Sequence, residues 1–122
     1  MEIDLIALAL LLLALALAGV GVAGRTERLP RNRWIGLRTA AVRADEESWR
    51  IGHHAASGAL IVAAGPPLLL AAALVAAPPE ALEDWLLVFA VVGVVTGGLI
   101  ALASRQAQNA LSAPDDEPQE PR

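Results

Sequence analysis

Three long apolar stretches dominate the pattern of hydrophobic and polar positions along this chain. They run from about residue 3 to 24, from 55 to 77 and from 85 to 104. Each approaches or exceeds the roughly 20 residues that a helix needs to cross a hydrocarbon core about 30 Å thick. The first stretch is apolar on all sides, which is typical of a helix surrounded by lipid. The pattern therefore predicts an all-α fold, a three-transmembrane-helix bundle that forms one membrane domain over residues 1–112.

The composition supports this prediction. The chain has 122 residues, of which 56% are hydrophobic, and it contains no Cys and no Tyr. A protein of this length has too little other material to bury three such helices away from lipid. Ala, Leu, Val and Gly make up most of the apolar stretches, a composition suited to helix packing in a membrane. The acidic residues Glu2 and Asp4, together with the length of the first stretch, argue against a cleaved signal peptide.

The charged residues indicate how the chain is oriented in the membrane. Seven arginines lie in the first loop, residues 25–54, whereas residues 78–84 carry three acids and no basic residue. Cytoplasmic loops are enriched in Arg and Lys, so this asymmetry places residues 25–54 in the cytoplasm. The N-terminus is then expected outside and the C-terminus inside. The tail, residues 113–122, is rich in Pro and acidic residues and is predicted to be disordered.

The second stretch is interrupted by Gly65-Pro66-Pro67. Proline removes a backbone donor and clashes with the preceding turn, so a kink is expected there. A packing kink is the favoured interpretation, because no charged or amide side chain lies near it, as a transporter-like broken-helix site would require.

Small residues recur at helical spacing in two of the stretches. Gly93 and Gly97 form a G-x-x-x-G pair, and the first stretch ends with Gly19, Gly21 and Gly24. Such residues let helix backbones approach closely. Packing inside the three-helix bundle is favoured, and assembly into a homo-oligomer is the alternative.

The first loop combines cationic and apolar residues in a way that suits the membrane surface. From Arg25 to Arg43, basic residues alternate with apolar residues, and Trp34 is expected at the headgroup level. Asp45 is a plausible N-cap, followed by acidic residues in the first helical turn. A short interfacial helix should therefore begin near Asp45 and continue into the second span through His53. Within it, Glu46 and Arg50 have the spacing of an ion pair.

Neither a metal site nor a catalytic site is indicated. His53 and His54 are adjacent, so on a helix they point about 100° apart. A zinc site usually needs three or four convergent ligands. The spans carry no charged residue away from their ends, which argues against an ion pathway. We expect no cofactor, no metal, no enzymatic activity and no direct contact with nucleic acid, although an enzyme acting on lipid headgroups through His53 and Arg38 is an open alternative.

At the first loop the chain resembles a known family. The order Asn32-x-Trp34-Ile-Gly36-x-Arg38-Thr39, followed by an acidic helix start and Trp49-x-x-x-His53, is similar to the SdpI family of bacterial membrane proteins. The resemblance covers about residues 30–58. It implies a multi-pass protein of the bacterial plasma membrane. In that family a named member protects its cell against a secreted peptide toxin and holds a transcriptional repressor at the membrane.

The resemblance leaves two functions and two roles for the loop open. The protein is expected to act in toxin immunity or signalling, with a peptide toxin or a repressor as partner; the alternative is an accessory subunit that stabilises a larger transporter or envelope complex. The motif residues either bind a partner or lock the loop, and in the second case Arg38 is expected to pair with Glu46 or Glu47. The candidate site residues are Asn32, Trp34, Gly36, Arg38, Thr39, Trp49 and His53.

Overall fold

The fold is a bundle of α-helices. A computed structural model describes residues 2–112, so the predicted disorder of residues 113–122 lies outside the described part of the chain. The helices, in chain order, are α1 (Glu2–Arg25), α2 (Ala40–Arg43), α3 (Glu46–Ala63), α4 (Gly65–Ala76) and α5 (Leu86–Ser112). A short 3₁₀ helix, Leu82–Trp85, leads into α5.

Within residues 2–112, three helical segments are long and apolar enough to cross a membrane: Glu2–Arg25, Glu46–Ala76 and Glu83–Ser112. The prediction of an all-α, multi-pass membrane protein is therefore confirmed. The second segment consists of α3 and α4, and it packs against both α1 and α5. The expected interruption is present, because α3 ends at Ala63 and α4 begins at Gly65 with prolines in its first turn. Proline suits this position, where its missing N–H has no helical partner to lose.

Two apolar clusters hold the bundle together, one at each end. The cluster near the arginine-rich loop, residues 26–39 between α1 and α2, joins Val42 and Trp49 to Ala103 and Ala107 of α5. The cluster at the other end joins Ala7 of α1 to α4; its buried members there are Leu70 and Leu74. Helix α5 continues past the predicted end at residue 104 to Ser112. This extension carries Ala107 to the loop end, where it packs in the first cluster.

Two glycines of α1 pack inside the bundle, whereas the glycine pair of α5 does not. A Cβ added at Gly21 would lie 2.7 Å from Cγ1 of Ile61, and one at Gly24 would lie 2.7 Å from the carbonyl oxygen of His53, so α1 approaches α3 closely at both. A Cβ at Gly93 or Gly97 would meet no atom within 4 Å. The favoured interpretation, packing inside the bundle, is therefore wrong for the α5 pair, because that face of α5 points away from the other helices. Assembly into a homo-oligomer stays a prediction.

Candidate functional site at the arginine-rich loop

Asn32 organises the loop through its side chain. Its Oδ1 accepts hydrogen bonds from the backbone N–H groups of Trp34 (2.8 Å) and Ile35 (2.7 Å), and its Nδ2 donates to the carbonyl oxygen of Pro30 (2.8 Å). An Asn side chain that bonds to the backbone two and three residues ahead imitates a backbone turn. The turn therefore needs both the acceptor and the donor of the amide group, which an Asp or a Leu does not provide.

Gly36 lets the loop pass directly over His53. Its φ angle is +111°, in a region that residues with a side chain rarely adopt. A Cβ at this position would overlap the His53 ring and would lie 3.1 Å from Trp49. Glycine is therefore required here for two separate reasons, the backbone conformation and the closeness of the two aromatic side chains.

His53 fastens the loop to α3. The backbone N–H of Leu37 donates to its Nε2 at 2.8 Å, and its Nδ1 lies 2.8 Å from the carbonyl oxygen of Trp49. Since Nε2 accepts, the proton of the neutral ring must be on Nδ1, where it donates to Trp49. The side chain is buried, with 1% of its surface exposed. A doubly protonated ring would place two N–H groups face to face, so this arrangement requires neutral His53.

Trp49 makes a second connection between α3 and the loop. Its Nε1 donates to the carbonyl oxygen of Leu29 at 3.1 Å, and its ring lies 4.2 Å from the His53 ring, measured between centroids. The two rings are tilted by 38°. Trp49 and His53 are one helical turn apart and thus share a face of α3. The W-x-x-x-H spacing therefore places both side chains under the loop.

Arg38 is held by the loop itself. Its Nη1 donates to the carbonyl oxygen of Asn32 at 3.1 Å. Within the described residues its Nη2 is buried without a hydrogen-bond partner, and no ion pair joins it to Glu46 or Glu47. The expected pairing of Arg38 with these acids is wrong. The reason is that the guanidinium closes the loop between residues 32 and 38, whereas both glutamates are exposed at the start of α3.

The end of α1 also contributes to the site. The N–H of Arg28 bonds to the carbonyl of Ala23 (2.8 Å) and that of Glu27 to the carbonyl of Gly24 (3.3 Å), the pattern of a Schellman motif. Glu27 has φ of 57°, in the left-handed position that glycine usually occupies there. Its carboxylate forms an ion pair with Arg50 (3.1 Å). The predicted Glu46–Arg50 pair is wrong, because α1 brings Glu27 to Arg50 instead.

The remaining predicted site residues have separate roles. Thr39 is the N-cap of α2, and its side chain accepts from the N–H of Val42. Trp34 points away from the others and is 87% exposed. Asp45 is the N-cap of α3, as predicted, with its Oδ1 2.7 Å from the N–H of Ser48. That N–H stabilises the charged form and so lowers the pKa of Asp45.

A cleft of about 630 Å³ opens between the end of α1, the loop and the start of α3. Trp49 and His53 line it, together with charged residues of both signs. The charged residues are Glu27, Arg28, Arg31, Glu46, Glu47 and Arg50. The cleft thus offers a ligand both guanidinium donors and carboxylate acceptors.

Several residues of the site were missed by the sequence analysis. Glu27 and Leu29 bond to residues more than 19 positions away, and Gly24 packs on the backbone of His53. Arg31 donates to the carbonyl oxygen of Arg43 (2.8 Å) and so ties the loop to the end of α2. Only Gly24 carried a signal in the sequence, because a small residue at a helix end indicates close packing. The other contacts depend on how α1 and α3 are placed.

Comparison with known proteins shows the family of this chain. The model of the SdpI/YfhL protein family matches residues 28–104. The chain belongs to the SdpI/YfhL family. A search of curated proteins and a search of solved structures each found no match. The match begins at Arg28 and therefore contains most of the loop, together with α3, α4 and most of α5.

Proposed function

We propose that this SdpI-family protein acts in toxin immunity or signalling at the bacterial plasma membrane, and that it recognises a peptide or protein partner in the cleft at its arginine-rich end. Family membership supports the class of function. The observation that carries the proposal is the cleft itself, which the end of α1, residues 27–31 and the start of α3 form together. Binding, and not catalysis, is the proposed activity.

The charges of the cleft favour a polypeptide partner. Three arginines and three glutamates line it, so a ligand with charge of one sign would meet repulsion as well as attraction. A peptide offers donors and acceptors along its whole backbone and can match both. Trp49 and His53 form the base of the cleft but are almost fully buried, with 2% and 1% of their surfaces exposed, so a ligand meets mainly the charged side chains. Arg is among the residues that most often dominate binding energy at protein interfaces.

The orientation of the chain is part of the proposal. The arginine-rich loop faces the cytoplasm, because loops on that side of the membrane carry an excess of arginine and lysine. Single cysteines at Ala44 and Ala81 test this in whole cells with a membrane-impermeant thiol reagent. We expect labelling at Ala81 and protection at Ala44. The reverse pattern would contradict the cytoplasmic placement of the cleft.

The test of function uses a matched pair of arginines. Arg28 lines the cleft, whereas Arg33 is an exposed arginine of the same loop that does not line it. A strain lacking the gene is complemented with wild type, Arg28→Glu or Arg33→Glu, at equal membrane abundance. The readouts are growth in the strain's own culture supernatant and transcription of the neighbouring genes.

We expect wild type and Arg33→Glu to restore resistance or the transcriptional response, and Arg28→Glu to fail. Full complementation by Arg28→Glu would show that the cleft does not bind the partner. A deletion strain with normal growth and normal transcription would contradict the immunity or signalling role itself. Co-purification of a stoichiometric membrane complex would then favour the alternative, an accessory subunit.

A further inference from the structure

A second groove lies elsewhere on the bundle and has different chemistry. It has a volume of about 490 Å³ and is formed by the end of α1, the middle of α3 and the last part of α5. Its polar lining residues are Arg25, His54, Ser57 and Gln106. Its larger apolar lining residues are Val62, Leu99 and Leu102.

Arg25 is held in position at one end of this groove. Its Nε donates to the hydroxyl oxygen of Ser57 at 3.4 Å, and Ser57 is buried, with 4% of its surface exposed. A Cβ at Gly58 would lie 3.6 Å from Nη2 of Arg25, so the guanidinium rests against α3 where no side chain is present. The contact with Ser57 uses Nε and leaves the terminal nitrogens available to a ligand.

The charge of the groove selects the sign of its ligand. Of the described residues that line it, Arg25 is charged, His54 is titratable and none is acidic. The cleft described above has as many glutamates as arginines among its lining residues. A phosphate group would therefore meet a guanidinium in this groove with no competing carboxylate in the wall.

The polarity of the groove changes along the helix axes. From His54 to Val62 the chain advances eight residues along α3, about 12 Å of helix. Helix α5 shows the same change: Gln106 lies at the polar end, and Leu102 and Leu99 follow one and two turns deeper. The polar end thus lies at the loop side of the bundle, and the apolar end extends toward the membrane interior.

We propose that this groove is a binding site for one anionic phospholipid. The phosphate binds the guanidinium of Arg25, with His54 and Gln106 as further hydrogen-bond donors, and one acyl chain lies along Leu99 and Leu102. A single groove that joins a fixed cation to an apolar channel matches the two parts of such a lipid. The proposal is independent of the partner that binds in the cleft.

Native mass spectrometry of the detergent-purified full chain tests the site. Phosphatidylglycerol and phosphatidylcholine with identical acyl chains are titrated into wild type, Arg25→Gln and the control Arg33→Gln. We expect wild type and Arg33→Gln to bind phosphatidylglycerol more tightly than phosphatidylcholine. Arg25→Gln should weaken phosphatidylglycerol binding on the order of tenfold, the effect of losing one charge-assisted hydrogen bond.

Leu102→Trp tests the contact with the acyl chain separately from the contact with the headgroup, because it leaves Arg25 and its bond to Ser57 unchanged. Leu102 is 45% exposed, so the larger side chain fits without disturbing the core and fills the apolar part of the groove. We expect this variant also to lose phosphatidylglycerol binding. Glycerol 3-phosphate, the headgroup without chains, should fail to displace the lipid from wild type at equal concentration.

Three results would overturn the proposal. Equal affinity of wild type for the two lipids would show that the groove does not select charge. Unchanged phosphatidylglycerol binding in Arg25→Gln or in Leu102→Trp would place the lipid elsewhere. Displacement by glycerol 3-phosphate would identify a site for free phosphate esters instead of a lipid. If Arg25→Gln does not fold, Leu102→Trp and the glycerol 3-phosphate competition decide.

Discussion

The two ends of the helix bundle are stabilised by different interactions. At the arginine-rich end, hydrogen bonds from buried side chains join α3 to the loop, through His53 to Leu37 and through Trp49 to Leu29. At the other end the cluster of Ala7, Leu70 and Leu74 packs through apolar contacts. Lipid chains are as apolar as leucine, so apolar contact alone gives little preference for one helix arrangement in a membrane. The loop end therefore fixes how the helices are arranged.

The largest expected effect is at Gly36. Gly36→Ala would force a side chain into a φ of +111° and into the His53 ring, and the backbone strain alone is of order 1–3 kcal/mol. We expect low membrane abundance and a clearly lower melting temperature of the detergent-purified protein. Gly19→Ala is the control, because a Cβ at Gly19 would meet no atom within 4 Å. A Gly36→Ala protein as stable as the control would show that the loop does not sit over His53.

His53 comes next. His53→Ala would leave the buried N–H of Leu37 without its acceptor, at a cost of about 1–3 kcal/mol. Stability and function should therefore fall together, whereas Arg33→Ala, at an exposed residue that does not line the cleft, should keep both at the wild-type level in the complementation assay. The measurements are melting temperature and resistance, at matched abundance. A His53→Ala protein that is stable but inactive would instead identify His53 as a direct partner contact, and one that is stable and active would remove it from the site.

Arg38 should have a smaller effect. Arg38→Ala removes the hydrogen bond to the carbonyl of Asn32 that closes the loop, worth about 1.5–3 kcal/mol because the donor is charged. Part of this loss is offset, because the substitution also removes the buried, unpartnered Nη2. Arg28→Ala is the matched control, since Arg28 is exposed. The melting temperature should fall for Arg38→Ala and stay constant for Arg28→Ala; equal, negligible effects would show that Arg38 does not stabilise the loop.

The smallest effect is expected at Gly93, far from the loop. A Cβ there would meet no atom within 4 Å, and Ala is a better helix former than Gly by up to about 1 kcal/mol. Gly93→Ala should therefore leave the melting temperature unchanged or raise it slightly. A clear loss of stability would mean that this face of α5 contacts something in the assembled protein, and size-exclusion chromatography with light scattering would show whether a second copy is involved.

Much of the fold could be predicted because its signals are local. The three apolar stretches give the spans, the Gly-Pro-Pro run gives the interruption between α3 and α4, and Asp45 gives the start of α3. Each signal involves residues within one or two helical turns of each other. The C-terminal end of the third span was less well predicted, because Arg105 to Ser112 is polar enough to end a hydropathy window but still packs through Ala107.

The candidate site could be predicted only in part. The motif residues Asn32, Gly36, Arg38, Trp49 and His53 do come together, but the expected ion pairs of Arg38 and Arg50 with the acids of α3 do not form. Helical spacing favours a Glu46–Arg50 pair, but spacing within one helix does not indicate where the end of α1 lies. Glu27 reaches Arg50 because the chain turns back there in a Schellman motif whose left-handed position is a glutamate.

The sequence by itself determined the membrane spans, the interruption at Gly65-Pro66-Pro67 and the start of α3, because these depend on hydropathy, on proline and on a hydrogen bond between near neighbours. Tertiary structure decided which residues meet across the bundle: Leu37 with His53, Arg25 with Ser57, and the charges that line the cleft. The physical reason is the close approach of α1 to α3 at Gly21 and Gly24. That approach fixes which face of α3 each neighbouring segment contacts. The apolar sequence alone does not decide between these faces, because lipid can cover any of them.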